Sequence, residues 1–254
     1  MLHICKKPVT HQRGNGFGTP SHMTRKVGNR QCGSALNYHL SMTEGTPSIH
    51  RAIDPAQNAP GQIYKLMSGI IVPRPVALVS TIDSEGVPNV APFSFFSGVG
   101  SAPPTVLFCP VLRPGESDFA RKDTLRNVED TGEFVVNVVS EAMAGAANAS
   151  AAEVPPHIDE FELAGLTPLA SELVRPPRVA ESPAHMECRL MQVVYTGKQP
   201  GAGVIVLGEV LRFHVREDLL DNFCVDPDGL DAIGRMAGNS WVRTRDRLDL
   251  VRPK

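Results

Sequence analysis

Residues 73–97 read PRPVALVSTIDSEGVPNVAPFSFFS, and this stretch decides the fold class. Val76, Leu78, Ser80 and Ile82 alternate with Ala77, Val79, Thr81 and Asp83, a mostly apolar run of strand length. Asp83-Ser84-Glu85-Gly86 supplies turn residues, with Gly86 free to take a positive φ. Val87 to Ala91 starts a second strand. Pro92 is expected to end its regular pairing, because proline has no N–H to donate. The stretch therefore predicts a tight β-hairpin followed by an aromatic, hydroxyl-rich loop.

The flanking segments extend this pattern. Residues 60–72, PGQIYKLMSGIIV, predict a short helix running into extended chain, with Ile63, Leu66 and Met67 at helical spacing and Gly69 as the stop. Pro73-Arg74-Pro75 then forces an extended entry into the hairpin. Thr105 to Leu112 is another apolar strand, in which Pro110 marks an edge or a bulge. Lys122-Asp123-Thr124 opens a helix to about Asp130, with Asp123 or Thr124 as its cap, Leu125 and Val128 facing inward, and Gly132 as its end. Glu133 to Ser140 reads as a buried strand, Glu141 to Ala152 as an alanine-rich helix, and residues 155–161 as a loop entering a short helix. Met186 to Thr196 and Val204 to Val215 form a second hairpin around a glycine-rich tip. Strands outnumber helices and do not alternate with them as a doubly wound sheet or a (β/α)₈ barrel requires. The pattern predicts a closed or partly closed antiparallel β-barrel with a few helices.

Composition narrows the function classes. With 42% hydrophobic and 20% charged residues, the 254-residue chain reads as an ordinary soluble globular protein of one large or two small domains. A net charge of −2 gives no electrostatic reason to expect nucleic acid or an anionic membrane as partner, and no apolar run is long enough to cross a bilayer. Residues 1–45 differ from the remainder. They carry Lys6, Lys7, Arg13, Arg25, Lys26 and Arg30, have no acid before Glu44, and show no lasting periodicity. They read as a basic, disordered extension without a secretory h-region, with Met42 a plausible start, leaving residues 46–254 as the folded domain. The five cysteines include no Cys-x-x-Cys pair, which argues against a disulfide framework or a zinc site and for a reducing, cytoplasmic setting.

Candidate chemistry is sparse. No Gly-x-Gly-x-x-Gly opens a helix, and no Gly-x-Ser-x-Gly elbow is present. His157, Asp159 and Glu160 lack a second ligand set and read as a helix start, while His185 and His214 lie in strand-like runs as structural residues. Ser80-Thr81 and Lys122-Asp123-Thr124 offer hydroxyls, a cation and free helix N–H groups, the equipment of a phosphate site. A capped surface helix is the competing reading of the second set. Asn89, Pro92, Ser94, Phe95, Phe96 and Ser97 mix hydrogen-bonding groups with flat apolar surface, as a planar ring with a polar edge needs, although two adjacent phenylalanines taken alone are more often core residues. Arg235 and Trp241 lie in a glycine-rich tail that reads as a solvated end or as an arm folded over a site.

The ordered segments YKLMSGIIVPRPVALVSTID, GVPNVAPFSFF, KDTLRNVEDTGEFVVNVVS, HIDEFELAGL, PAHMECRL, VLGEV and IGRMAGNSWVRT resemble the flavin reductase-like, FMN-binding split-barrel family from about residue 60 to 247. The resemblance implies a mainly β fold with some α: a split β-barrel of Greek-key character with a few peripheral helices, usually a homodimer. It implies FMN, or FAD, in a groove near the dimer interface. It places Arg74, Ser80 and Thr81 along the phosphate or ribityl chain, Asn89, Pro92, Ser94, Phe95 and Phe96 around the ring, and Lys122, Asp123 and Thr124 at the phosphate end. Asn148 and Ser150 would approach the ring from the following helix, and Arg235 and Trp241 would belong to a closing tail, where the family more often has tyrosine at the last position. The implied activity is NAD(P)H-dependent flavin reduction: hydride passes from nicotinamide to bound flavin and on to free flavin, oxygen or a protein partner. No side chain acts as general acid or base, and no metal takes part. An FMN-binding electron carrier or sensor, and a flavin-dependent oxygenase or oxidase, are the alternatives.

Overall fold

The computed structural model describes residues 50–114, 119–154 and 158–253, so the basic extension expected over residues 1–45 lies outside the described residues. The chain divides by its contacts into Met1–Ile53 and Asp54–Lys254, and the second unit carries every element below. It opens with helix α1 (Pro60–Ile70) and the short β1 (Arg74–Pro75), followed by the predicted hairpin as β2 (Ala77–Ile82) and β3 (Pro88–Phe93). Asp83 Oδ1 accepts the N–H groups of Glu85 and Val87 across the turn, and Gly86 takes φ +93°. Pro92 does not end the pairing: it lies within β3 opposite Leu78. β3 is an edge strand, so a missing outward N–H costs no ladder bond there.

The chain continues through β4 (Phe96–Ser101), β5 (Pro104–Phe108), the paired two-residue strands β6 (Arg113–Pro114) and β7 (Phe119–Ala120), helix α2 (Asp123–Thr131) and β8 (Glu133–Val138). Helices α3 (Ala144–Ala149) and α4 (Glu160–Ala164) precede the short pair β9 (Pro168–Leu169) and β10 (Arg178–Val179). The long hairpin follows as β11 (Ala184–Tyr195) and β12 (Val204–Val215), then the small hairpin β13 (Leu220–Asp221) and β14 (Cys224–Val225), the short α5 (Pro227–Leu230), β15 (Ile233–Arg235) and β16 (Trp241–Arg243).

Seven strands make one antiparallel sheet in the order β3-β2-β8-β11-β12-β5-β4. Its two edges, β3 and β4, are consecutive in the chain, and only Ser94 and Phe95 separate Phe93 from Phe96. A link that short cannot span a flat seven-stranded sheet, so the sheet curls until its edges meet. No ladder joins β3 to β4. The fold is thus a mainly β split barrel with peripheral helices, and the split lies at Ser94-Phe95.

The inward faces of these strands and one side of α2 make the core. Val79, Phe108, Leu125, Val128, Phe134, Val136, Cys188, Val204 and Val206 are buried in a single cluster. Phe108 packs edge-on to Phe134, with ring centroids 5.3 Å apart. Gly208 gives that ring its place: a Cβ there would sit 2.3 Å from Phe134 Cζ. A second cluster, including Leu78, Val90, Met143, Phe161 and Ile233, packs α3, α4 and the tail onto the outer face of the hairpin, with Trp241 against it.

Two further local expectations change. Helix α1 forms but runs past Gly69, and it buries only Ser68, leaving Tyr64, Leu66, Met67 and Ile70 exposed. Glycine stops a helix by adopting the left-handed conformation, and Gly69 does not do so. Helix α2 begins one residue earlier than its expected caps: the N-cap position is Lys122, with no capping side chain. Thr124 and Asp123 are engaged elsewhere, so they leave the first N–H groups of α2 uncapped.

Candidate functional site

The hairpin face and the start of α2 meet over a small polar cavity of about 60 Å³, lined among others by Asn89, Arg113, Lys122, Thr124, Ser150 and Glu160. One hydrogen-bonded chain organises its floor. Thr124 Oγ1 and Thr81 Oγ1 donate to Asn89 Oδ1 at 2.9 and 3.2 Å, and Asn127 Nδ2 donates to Thr81 Oγ1 at 3.1 Å. Asn89 Nδ2 donates to Glu160 Oε1 at 2.6 Å. Alternation along β2 and β3 explains the convergence, because Thr81 and Asn89 are register partners on one face of the hairpin.

The cations at the cavity favour an anion, and two carboxylates oppose it. Lys122 Nζ lies 5.6 Å from the Phe93 ring centroid, and no carboxylate among the described residues pairs with it. Burial pushes its ammonium below the ordinary lysine range, the neighbouring Arg113 adds to that, and Glu153 opposes it. Arg113 is 3.3 Å from Glu153. With the uncapped N-terminus of α2, these groups form a donor set suited to phosphate. Asp123 and Glu160 are the opposing carboxylates: both line the cavity, Asp123 paired with Arg126, and burial raises the Glu160 carboxyl above the usual range, against the pull of Asn89. The volume of the cavity is sufficient for a group the size of a phosphate.

A second group stands at the barrel split and the tail. Phe95 packs edge-on to Tyr64, with centroids 6.3 Å apart at 81°, and Arg74 lies 5.8 Å from the Phe95 centroid. Arg74 and Arg235 are register partners between β1 and β15, and Arg235 stacks 4.9 Å over Trp241, its partner on β16. The predicted residues thus fall into two sets. Asn89, Pro92, Lys122, Asp123, Thr124 and Ser150 line the cavity, with Thr81 behind Asn89. Arg74, Ser94, Phe95, Arg235 and Trp241 join the split to the tail.

Three predicted residues stand in neither set. Ser80 points to the opposite face, where its buried hydroxyl donates to Pro177 O and accepts from Asn137 Nδ2. Asn148 is exposed on α3, and Phe96 packs against the barrel core. Arg74 was placed along a phosphate or ribityl chain; its guanidinium is buried and engaged with protein acceptors. Arg113 and Glu160 join the site without having been selected. Arg113 opens the two-residue β6, too short for any periodicity to mark it, and Glu160 carries the ordinary signature of a helix first turn.

A larger cavity of about 750 Å³ lies against the end of the β11–β12 hairpin, lined by Arg178, His185, Phe213, His214 and Phe223 among others. Most of its polar groups are engaged in structure: His214 Nε2 donates to the buried Glu187 at 2.7 Å, His185 Nε2 bonds Val179 O, and Arg178 donates to Ala170 O, while the buried His185 Nδ1 has no partner among the described residues. None of the sequence-selected site residues lines it. Among the described residues no cluster of three or more His, Cys, Asp or Glu could hold a metal, and no helix is long and apolar enough to cross a membrane.

The profile of the family described as "Flavin reductase like domain" matches residues 67–233. A protein of Aquifex aeolicus is 40% identical over 182 residues, covering 71% of this chain and 89% of its own. The crystal structure of nitrilotriacetate monooxygenase component B from Bacillus cereus superposes with a TM-score of 0.75 at 38% identity, over 80% of this chain and 100% of that one. The Pseudomonas fluorescens 2-nitrobenzoate 2-nitroreductase follows at TM-score 0.71 and 31% identity, over 80% and 96% of the two chains. The chain belongs to the flavin reductase-like family.

Proposed function

We propose that this member of the flavin reductase-like family is a flavin-binding oxidoreductase of the NAD(P)H-dependent flavin reductase type, holding FMN by its phosphate in the Lys122 cavity. The carrying observation is the cavity's donor set: an uncapped helix N-terminus flanked by Lys122 and Arg113 in a space of phosphate size. FAD fits this donor set less well, because its phosphates are internal and carry an adenosine beyond them. Bound flavin supplies the hydride acceptor and electron store. The protein's part is to hold and orient. Lys122, Arg113 and the α2 amides fix the phosphate end. Thr81 and Thr124 hold Asn89 in place beneath it. The Phe95 loop and the Trp241 hairpin provide flat apolar surface and exclude water from a ring lying at the barrel split. Reduced nicotinamide nucleotide is the co-substrate in this reading, and no side chain is needed as general acid or base.

A second copy of the chain is the proposed partner. Helix α1 presents Tyr64, Leu66, Met67 and Ile70 to solvent, with Ile70 71% exposed, and it adjoins the site through Tyr64 and Phe95. An amphipathic helix that buries none of its apolar side chains needs a covering surface. Purified protein should retain or take up FMN and oxidise NADH or NADPH when flavin is added. Flavin binding without turnover would make it an electron carrier or sensor, and failure of both would overturn the flavin reading.

A further inference from the structure

Arg74 is 4% exposed and has no carboxylate partner among the described residues. A buried guanidinium is costly unless its N–H groups find acceptors. Here four bonds go to three separate parts of the chain. Nη1 donates to Ser68 O at 2.5 Å and to Ile71 O at 2.9 Å, at the C-terminal end of α1. Nε donates to Ser94 Oγ at 3.3 Å, in the link that splits the barrel. Nη2 donates to Met236 O at 3.1 Å, in the turn between β15 and β16. The turn is itself closed by Met236 N–H to Ser240 O. The guanidinium also faces the Phe95 ring.

The acceptors explain why arginine stands here. The last carbonyls of a helix lack intrahelical partners and attract a cation. Ser94 and Met236 lie in other directions, and only a planar fork with five N–H groups serves all of them at once. Lysine offers a point charge that can cap α1 but cannot also hold both loops.

We propose that Arg74 is a positioning residue: it locks α1, the Ser94-Phe95 link and the C-terminal hairpin into one wall of the flavin groove, and it does not contact the flavin phosphate. The proposal rests on the flavin reading above. It assigns Arg74 to the ring end, where the tail and Phe95 are set, and leaves the phosphate to Lys122 and α2.

FMN and riboflavin separate the two ends, because riboflavin lacks the phosphate. Arg74→Met should weaken both ligands by a similar factor, about tenfold or more, which is about 1.4 kcal/mol. Lys122→Met should weaken FMN and leave riboflavin unchanged. Trp241, the one tryptophan of the chain, lies in the clamped hairpin and gives a readout independent of flavin. Its emission should shift to the red in Arg74→Met and stay put in Lys122→Met. Arg74→Lys should recover only part of the affinity and of the emission. A loss confined to FMN in Arg74→Met would make Arg74 a phosphate ligand and overturn the proposal, as would unchanged affinity with unchanged emission. If Arg74→Met does not fold, Ser94→Ala, which removes the Nε acceptor, should weaken both ligands equally by a smaller factor; a loss confined to FMN there, or no loss, overturns it too. If wild-type protein binds no flavin, the functional reading fails, and the Trp241 shift alone still decides whether Arg74 clamps the tail.

Discussion

Asn89 Nδ2 donates to Glu160 Oε1 at 2.6 Å, joining β3 to the first turn of α4 across 71 positions of sequence. This bond places a carboxyl beside the cavity that carries Lys122 and Arg113. Burial has raised the Glu160 carboxyl and lowered the Lys122 ammonium, so both groups resist their charged forms.

An anion entering the cavity should therefore bind better at lower pH. Below the raised Glu160 value the carboxyl is neutral and does not repel phosphate. As pH rises through the lowered Lys122 value the cation is lost. Both act in the same direction. Above about pH 7, where the FMN phosphate is already a dianion, FMN affinity followed by quenching of flavin fluorescence should fall as pH rises through the lowered Lys122 value, while riboflavin affinity should be nearly flat.

Glu160→Gln removes the charge and keeps an acceptor for Asn89. It should tighten FMN about fivefold at pH 8, an amount in the range of a partly solvated charge pair. The gain should shrink at lower pH, as the wild-type carboxyl takes up its proton. Weaker binding throughout would mean that the carboxylate touches the ligand directly.

Lys122→Ala combined with Thr124→Ala should lower FMN retention by tenfold or more with the barrel intact, since Thr124, though buried, packs in the polar Asn89 network and not in the apolar cluster. Loss of the Thr124 bond to Asn89 should cost about 1 kcal/mol of stability in urea titrations. Unchanged retention after gel filtration would place the phosphate elsewhere.

Glu187 is fully buried and accepts from Glu172 N–H, Leu173 N–H and His214 Nε2. Burial opposes its ionisation, but these donors outweigh it and hold the carboxyl below its usual value. Its contribution to stability is present above the unfolded carboxyl value and is lost as pH falls through the folded one. Glu187→Ala leaves three donors unpaired and should cost about 3–5 kcal/mol at pH 7. The difference from wild type should shrink at pH 3, read as denaturation midpoints at the two pH values.

Met67→Glu with Ile70→Glu places two charges on the exposed face of α1. Sedimentation velocity should show a dimer for the wild-type chain and a monomer for this variant. A wild-type monomer at high micromolar concentration would remove the second copy as the partner of this face.

Much of the fold was legible because its signals are local. Alternation over Val76–Ile82 and the Asp83–Gly86 turn marked the hairpin, and Gly132, at φ +73°, marked the end of α2. Part of the candidate site was legible for the same reason: Lys122-Asp123-Thr124 is a contiguous helix start, and Asn89 follows a turn of known length. Tertiary context overrides the local signal at two points: Pro92 stays in the ladder because β3 is an edge, and α2 lacks its cap because Asn89 takes the Thr124 hydroxyl.

The sequence by itself determined that this chain makes a hairpin-rich barrel and carries a hydroxyl-and-cation cluster at a helix start, since turn chemistry and strand periodicity act over a few residues. Only the tertiary structure decided which polar groups remain available to a ligand. Arg74 and Ser80 look like ligand residues in the string 74–81, yet folding gives their N–H and O–H groups to carbonyls as distant as Met236 and Pro177. The reason is that a buried donor must find an acceptor, and which acceptor reaches it depends on how the sheet closes. The same closure brings Glu160 to Asn89 and sets the barrel split at Ser94-Phe95, where the edges of the sheet come together.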